Sequence, residues 1–263
     1  MRTAKKRYQV KRKNTILKNR IFWWGLLVLA TAGGLFYLAA LAPFFQIKKI
    51  LIFGQEKIAP EQVLQIANAS FLTKKILFFE SQSIFLIKTS RLKALIIKKF
   101  PIIEGIKIKR LWPDSLGIEI KERQAIGAWC RDIDCFNIDK IGVIFEPVKP
   151  GIETGIIVRS RQINEEIELG IEVIEPKTLS LILDTQKRIA EKTNLTIKEF
   201  YLYENENRLN AKTEEGWQVY FDLEGDLNWQ ILELELLLEK TLPLEKRHDL
   251  EYIDLRFNKV FYK

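Results

Sequence analysis

A long apolar run near the N-terminus constrains this chain more than any other feature. The 25 residues from Ile21 to Phe45 contain no charged side chain. At about 1.5 Å of rise per residue, a helix of this length reaches roughly 37 Å, enough to cross a hydrocarbon core of about 30 Å. The preceding 20 residues contain no acidic side chain and nine basic ones: Arg2, Lys5, Lys6, Arg7, Lys11, Arg12, Lys13, Lys18 and Arg20.

This charge pattern predicts the topology of the chain. Basic residues beside a membrane span favour the cytoplasmic side, and aromatic residues favour both interfaces, where Trp23, Trp24, Phe44 and Phe45 lie. We therefore predict a cytoplasmic tail at residues 1–20, a transmembrane helix at residues 21–45 and extracytoplasmic residues beyond. A cleaved secretory signal is the alternative, but its apolar core would span only about 7–15 residues.

Charge and cysteine content limit the function classes. The net charge is +8, with 42 basic and 34 acidic residues. Without the nine leading basic residues the balance is 33 against 34, near −1, so we expect no nucleic-acid partner. In an oxidising compartment Cys130 and Cys135 could form a disulfide across a tight hairpin, although two reduced cysteines are the alternative. Structural zinc needs four ligands, and the single histidine, His248, is distant in sequence, so we expect no metal or cofactor.

Two regions follow the apolar run. In the first, apolar alternation and proline positions predict the order strand, helix, helix, strand, strand, which is typical of an α+β unit. A loop-like run at 147–151 separates it from a second region of several strands and two helices. One helix begins at Pro176, and the other is capped by Asp226 and reaches Lys240. We expect one last strand from Tyr252 to Phe257, continuing through Val260 and Tyr262.

Several motifs in this order resemble the FtsQ/DivIB family of bacterial cell-division proteins. They are the strand ending Ile52-Phe53-Gly54, then Lys99-Phe100-Pro101, Arg110-Leu111-Trp112-Pro113, Ile118-Glu119-Ile120-Lys121-Glu122-Arg123, Ile138-Asp139, Gly142-Val143-Ile144-Phe145 and the closing Tyr252–Phe257 segment. The resemblance covers nearly the whole chain. It implies a POTRA domain (β-α-α-β-β) at residues 45–123 and a mixed β-sheet domain with flanking helices at residues 124–263.

The resemblance also implies a function. It indicates a non-enzymatic scaffold of the division septum, in the cytoplasmic membrane. In this family the last strand and the preceding helix receive small bitopic partners such as FtsB, which is paired with FtsL. The matching positions, all close to the C-terminus, are Tyr252, Phe257, Asn258, Val260 and Tyr262. Other membrane proteins of the divisome are further expected partners.

Two other functions remain as alternatives. A POTRA domain would also suit a scaffold of another envelope complex, in secretion or outer-membrane assembly. A membrane-tethered hydrolase would need His248 to act with a neighbour such as Asp249, as in a catalytic triad. A histidine between charged residues is more typical of a surface turn.

Overall fold

The structure, a computed structural model, describes residues 20–72, 75–76, 79–149, 155–160 and 167–263. Almost all of the predicted cytoplasmic tail and part of the loop-like run at 147–151 lie outside these residues. The chain divides into two compact units. Unit 1 comprises Met1–Phe53, Ile58–Lys93 and Lys107–Glu119, and unit 2 comprises Gly54–Lys57, Ala94–Ile106 and Ile120–Lys263.

The apolar run begins as a helix, α1, at Arg20–Ala40. It is the one helix in the described part of the chain that is long and apolar enough to cross a membrane. Its side chains are exposed until its last turn, where Ala40 is buried. The remaining apolar residues leave the α-helix, since Pro43–Phe45 form a short 3-10 helix.

The region after α1 has the predicted order of elements, with one addition. The elements are β1 (Lys49–Phe53), α2 (Pro60–Leu72), β2 (Lys75–Ile76), β3 (Phe79–Glu80), α3 (Thr89–Lys99), β4 (Ile103–Leu111) and β5 (Ser115–Glu122). Strand β5 lies between β1 and β4 in a three-stranded sheet and pairs in parallel with β1. The hairpin of β2 and β3 was not predicted. Leu116 and Ile118 point into the core of unit 1 with Val63, Ala67 and Leu92 from the helices.

A nine-stranded mixed sheet forms the larger part of unit 2. Its strands are β6 (Gly127–Arg131), β7 (Asp134–Ile138), β8 (Ile144–Pro147), β9 (Ile156–Ser160), β10 (Ile197–Tyr203), β11 (Arg208–Thr213), β12 (Gln218–Asp222), β13 (Tyr252–Asp254) and β14 (Phe261–Tyr262). Their spatial order is β14-β13-β12-β11-β10-β9-β6-β7-β8. The α+β class predicted from the sequence is therefore confirmed.

Two helices accompany this sheet, α4 (Pro176–Thr193) and α5 (Leu227–Lys240), and they pack against each other. The predicted cap is confirmed, since the Asp226 carboxylate accepts hydrogen bonds from the backbone N–H groups of Asn228 and Trp229 at 2.9 and 3.2 Å. Buried Ile182 and Leu234 from the helices join Phe200 and other strand residues, and Trp217 just before β12, in one hydrophobic core. The order of the elements brings the last two strands to one end of this sheet.

Arg123 and Asp139 belong to two of the sequence motifs described above, and their contacts show what these motifs do in the fold. Their side chains, both within unit 2, form a buried ion pair. The Asp139 Oδ1 atom also accepts hydrogen bonds at 3.0 Å from the backbone N–H groups of Ile141 and Val143. The Asp139 carboxylate therefore fixes the turn between β7 and β8.

Glu199 is a second buried acid of unit 2 and links three strands. It forms ion pairs with Arg159 of β9 and Lys212 of β11, and it accepts a 2.8 Å hydrogen bond from the Tyr201 hydroxyl. Burial acts to raise the pKa of Glu199, but the hydrogen bonds from Arg159 and Tyr201 outweigh it and lower the pKa. The ionised form is therefore the one that stabilises the fold.

We expect Glu199→Gln to change how stability depends on pH. A lowered pKa in the folded state contributes stability above the unfolded value of 4.5, and this is lost as the pH falls through the folded value. The substitution should cost about 1–3 kcal/mol at neutral pH. It should also flatten the fall of the melting temperature from roughly pH 6 to pH 3. Thermal melts of both chains test this, with exposed Glu239→Gln as the control; parallel pH profiles would contradict it.

Candidate partner-binding edge

One edge of the nine-stranded sheet, that of β8, is partly covered by its own chain. The Ile144 N–H donates to the carbonyl of Ile171 at 3.1 Å, and the Gly170 N–H donates to the carbonyl of Ile144 at 2.7 Å. The Val173 N–H donates to the Gly142 carbonyl at 2.8 Å, so the segment 170–173 runs beside the residues that lead into β8. This cover occupies the backbone groups of Ile144 at the start of the edge.

The opposite edge, that of β14, has no further strand beside it among the described residues. Lys263 donates its N–H to the Tyr252 carbonyl at 3.2 Å and accepts from the Tyr252 N–H at 3.3 Å. In an antiparallel ladder alternate residues point towards the partner strand. The N–H and C=O groups of Tyr262 therefore point outward, where a strand from another protein can pair with them.

The predicted single terminal strand is wrong. Strand β13 ends at Asp254, and β14 returns beside it in antiparallel orientation, so β13 is an inner strand. The Asp254 carboxylate explains the break, because it accepts hydrogen bonds from the Arg256 backbone N–H at 3.1 Å and from Arg256 Nη2 at 2.6 Å. These bonds turn the chain at the point where the strand was expected to continue.

The five predicted site residues fall into two groups. Phe257 and Asn258 in the turn and Tyr262 on β14 are exposed, as a contact site requires. Val260 is half-buried and packs against the hydrophobic core of unit 2. Tyr252 is half-buried on β13, and its ring stacks on that of Tyr220, with centroids 5.3 Å apart. Val260 and Tyr252 therefore support the edge from within unit 2.

Two basic side chains at the edge, those of Arg256 and Lys263, are paired within unit 2. The hydrogen bond to Asp254 raises the pKa of Arg256, and the Arg256 guanidinium lies over the Phe257 ring, 5.3 Å from its centroid. The Lys263 ammonium group lies 2.9 Å from the Glu251 carboxylate, and this hydrogen bond raises the pKa of Lys263. Both cations therefore stay charged at neutral pH, beside exposed aromatic rings.

Cys130 and Cys135 lie at paired positions of β6 and β7 and are joined as a disulfide. The tight turn between the two strands separates them, as expected for a disulfide across a hairpin. This bond lies within the sheet, five strands away from β13 in the spatial order. It belongs to the end of the sheet opposite β14.

His248 is exposed in a surface turn. Its Nε2 atom lies 2.8 Å from the carboxylate of exposed Asp249, and its Nδ1 atom lies 3.2 Å from the Glu245 carbonyl. No group of three or more His, Cys, Asp or Glu side chains suited to a metal occurs among the described residues.

Two comparisons with known proteins point in the same direction as the sequence motifs. A family model for the FtsQ-type POTRA domain matches residues 45–123. The cell division protein FtsQ of Chloroflexus aggregans is 24% identical over 241 residues, which make up 88% of this chain and 81% of that relative. The chain therefore contains an FtsQ-type POTRA domain and is similar to an FtsQ protein over most of its length. This similarity indicates a scaffold protein of cell division and points to a non-catalytic role. With α1, it fits a single-pass membrane protein of the division machinery.

This FtsQ-type chain has exposed apolar residues that the sequence reasoning missed. Phe261 of β14 contacts Phe257 edge to face, with ring centroids 6.0 Å apart. On α5, Trp229, Leu232 and Leu236 are exposed although Ile231 and Leu234 of the same helix are buried. Their spacing of three and four residues places them along one outer face. The sequence signal that could have revealed these residues was a second apolar stripe on α5, beside the stripe that forms its buried face.

Proposed function

We propose that this chain is a non-enzymatic scaffold of the divisome that captures small bitopic partners, similar to FtsB and FtsL, outside the cytoplasmic membrane. Capture would link assembly of the division ring to septal peptidoglycan synthesis. The open edge of β14 is the observation that carries this proposal. The similarity to FtsQ supports it, because the resemblance implies partner binding at the same C-terminal region.

The proposed orientation rests on charge and cysteine chemistry. The nine basic residues before α1 favour a cytoplasmic N-terminus, so the FtsQ-type domain at 45–123 and the C-terminal domain proposed at 124–263 would lie on the outside. A disulfide between Cys130 and Cys135 suits an oxidising compartment better than the cytoplasm. Reporter fusions after residue 263 test the orientation.

In the proposed complex, a partner strand adds to β14 and the exposed rings supply contact area. The outward N–H and C=O groups of Tyr262 would set the register, since backbone hydrogen bonds give affinity in strand addition. Phe257 and Phe261 would anchor the partner from the turn and the strand, and the outer face of α5 would extend the contact. Aromatic residues at an interface often carry much of its binding energy.

Proline at position 262 tests the backbone contact. Tyr262→Pro removes an outward N–H group, whereas Tyr262→Ala removes the same ring and keeps that N–H. We expect the proline chain to bind the partner about tenfold more weakly than the alanine chain, since an unpaired carbonyl in an interface costs about 1–3 kcal/mol. Edge strands tolerate proline where the N–H faces solvent, so the sheet should remain intact.

The measurement is a titration of the full chain in detergent micelles with the isolated extracytoplasmic segment of the partner. Equal affinities of the two variants, at equal melting temperatures, would reject strand addition at β14. Fluorescence imaging of the tagged chain tests the division role separately, because enrichment at midcell is expected for a divisome scaffold. Uniform envelope staining would favour a different envelope complex.

A further inference from the structure

We propose that unit 1 is seated on the interfacial layer of the membrane by an aromatic platform, which we define as Phe44, Phe45, Phe85 and Trp112. The partner of this surface is the lipid of the membrane leaflet into which the C-terminal end of α1 emerges. The inference needs α1 to span a bilayer and is otherwise independent of the division role.

The four rings form one continuous surface, although they come from three separate segments of the chain. The Phe45 ring lies in the middle, with its centroid 5.1 Å from those of Phe44 and Phe85 and 6.3 Å from that of Trp112. The Phe85 and Trp112 centroids are 4.7 Å apart. These are the spacings of packed aromatic rings.

Three members of the platform are exposed within unit 1. The exposed fraction is 62% for Phe44, 45% for Phe85 and 56% for Trp112. Single exposed apolar residues are ordinary on protein surfaces, but a contiguous aromatic surface marks a contact with another protein or with a membrane. The platform therefore needs an occupant.

The position of α1 identifies this occupant. Its 21 residues give a length of about 31 Å, close to the roughly 30 Å hydrocarbon core. The helix ends at Ala40, and Phe44 follows four residues later. If α1 spans the bilayer, the platform lies at the depth where aromatic residues accumulate at membrane interfaces.

Hydrogen bonds hold the end of α1 to the segment that carries Phe85. The last carbonyl groups of a helix lack partners within the helix. Ser81 donates to the carbonyl of Ala40 and Ser83 to that of Ala39, and the Gln46 amide donates to Ala40 at 3.1 Å. Phe85 therefore stays close to the end of α1 and does not belong to a separately moving loop.

Basic side chains flank the platform as a lipid surface would require. Lys48 is exposed and lies 3.6 Å from the carboxylate of Asp114, in the same turn as Trp112. The Arg110 guanidinium donates to the Ile87 carbonyl at 3.0 Å, next to the Phe85 segment. Long cationic side chains near apolar surface can reach lipid phosphates while their stems lie in the apolar layer.

Tryptophan quenching tests the proposal on the full chain in lipid nanodiscs. The chain contains six tryptophans, at positions 23, 24, 112, 129, 217 and 229. Trp129 and Trp217 are buried, whereas Trp112 and Trp229 are 56% and 57% exposed, which makes Trp229 a matched control. One variant carries Trp23→Phe, Trp24→Phe and Trp229→Phe; the other carries Trp23→Phe, Trp24→Phe and Trp112→Phe.

The nanodiscs contain phosphatidylcholine and phosphatidylglycerol, with bromine atoms near the glycerol end of the acyl chains. The chain that keeps Trp112 should lose up to about a third of its emission relative to unbrominated lipid, because one of its three tryptophans would lie at the interface. The emission of the chain that keeps Trp229 should be quenched little by the brominated lipid and more by acrylamide in the water.

Two results would overturn the proposal. If Trp112 is open to acrylamide and insensitive to brominated lipid, the platform faces water. If Trp112 is shielded from both quenchers, a protein surface covers the platform instead. Equal melting temperatures of the two variants establish that both are folded. Midcell enrichment of the tagged chain is a separate readout, so failure of the platform and failure of the division role can be told apart.

Discussion

Aspartate in place of Phe257 or Tyr262 is expected to reduce partner capture by about 10- to 150-fold for each substitution. Each change removes an aromatic ring whose burial contributes about 1.5–3 kcal/mol, and each 1.4 kcal/mol corresponds to a factor of ten. It also places a carboxylate where the interface would exclude water, which adds to the loss unless a cation pairs with it.

Both side chains are exposed in the free protein, so the fold should tolerate the changes. The titration described for Tyr262→Pro gives the affinities. Ile133→Asp is the control, because Ile133 is 93% exposed on the turn between β6 and β7. Unchanged capture by both edge variants would show that the partner binds elsewhere. An equal loss in the Ile133→Asp chain would show that added negative charge alone weakens binding.

Alanine in place of Gly142 is expected to destabilise unit 2 by about 2–5 kcal/mol. Gly142 has a φ of +80°, and a Cβ atom there would lie 1.8 Å from the Ile174 carbonyl oxygen. That distance is an overlap with backbone, so the chain at 170–174 must move away from β8. Urea unfolding followed by the fluorescence of buried Trp129 and Trp217 measures the loss.

Gly216→Ala separates the two causes of this loss. Gly216 also has a positive φ, +104°, but a Cβ atom there would meet nothing within 4 Å. The Gly216→Ala substitution should lower the stability only by the backbone strain, about 1–3 kcal/mol. The difference in stability between the two variants then measures the overlap at Ile174. If both variants lose the same stability, the close approach of Gly142 to Ile174 does not constrain the fold.

Local sequence signals were sufficient for most elements of the fold. Asp226 predicted the start of α5, and Pro176 predicted the start of α4, because capping and proline geometry act within one helical turn. Strand β6 was expected only as one arm of a possible hairpin at Cys130, because Gly127–Cys130 are all buried and the segment has no polar alternation.

The candidate site was predicted less well, for a physical reason. Alternation of apolar and polar residues from Tyr252 to Tyr262 fits one long strand as well as two short ones. The hydrogen bonds between Asp254 and Arg256 turn the chain and so decide between them, and the alternation pattern does not reveal such bonds. Likewise, Phe85 and Trp112 join Phe45 only through tertiary structure, so no window of sequence could reveal the aromatic platform.

The segment 170–173 beside the start of β8 has a consequence for assembly. A sheet with two free margins can add strands at both and so propagate into a filament. Here the segment 170–173 occupies the start of the β8 margin, whereas no strand lies beside β14 among the described residues. Growth of the sheet from both margins is therefore disfavoured, which opposes the formation of filaments.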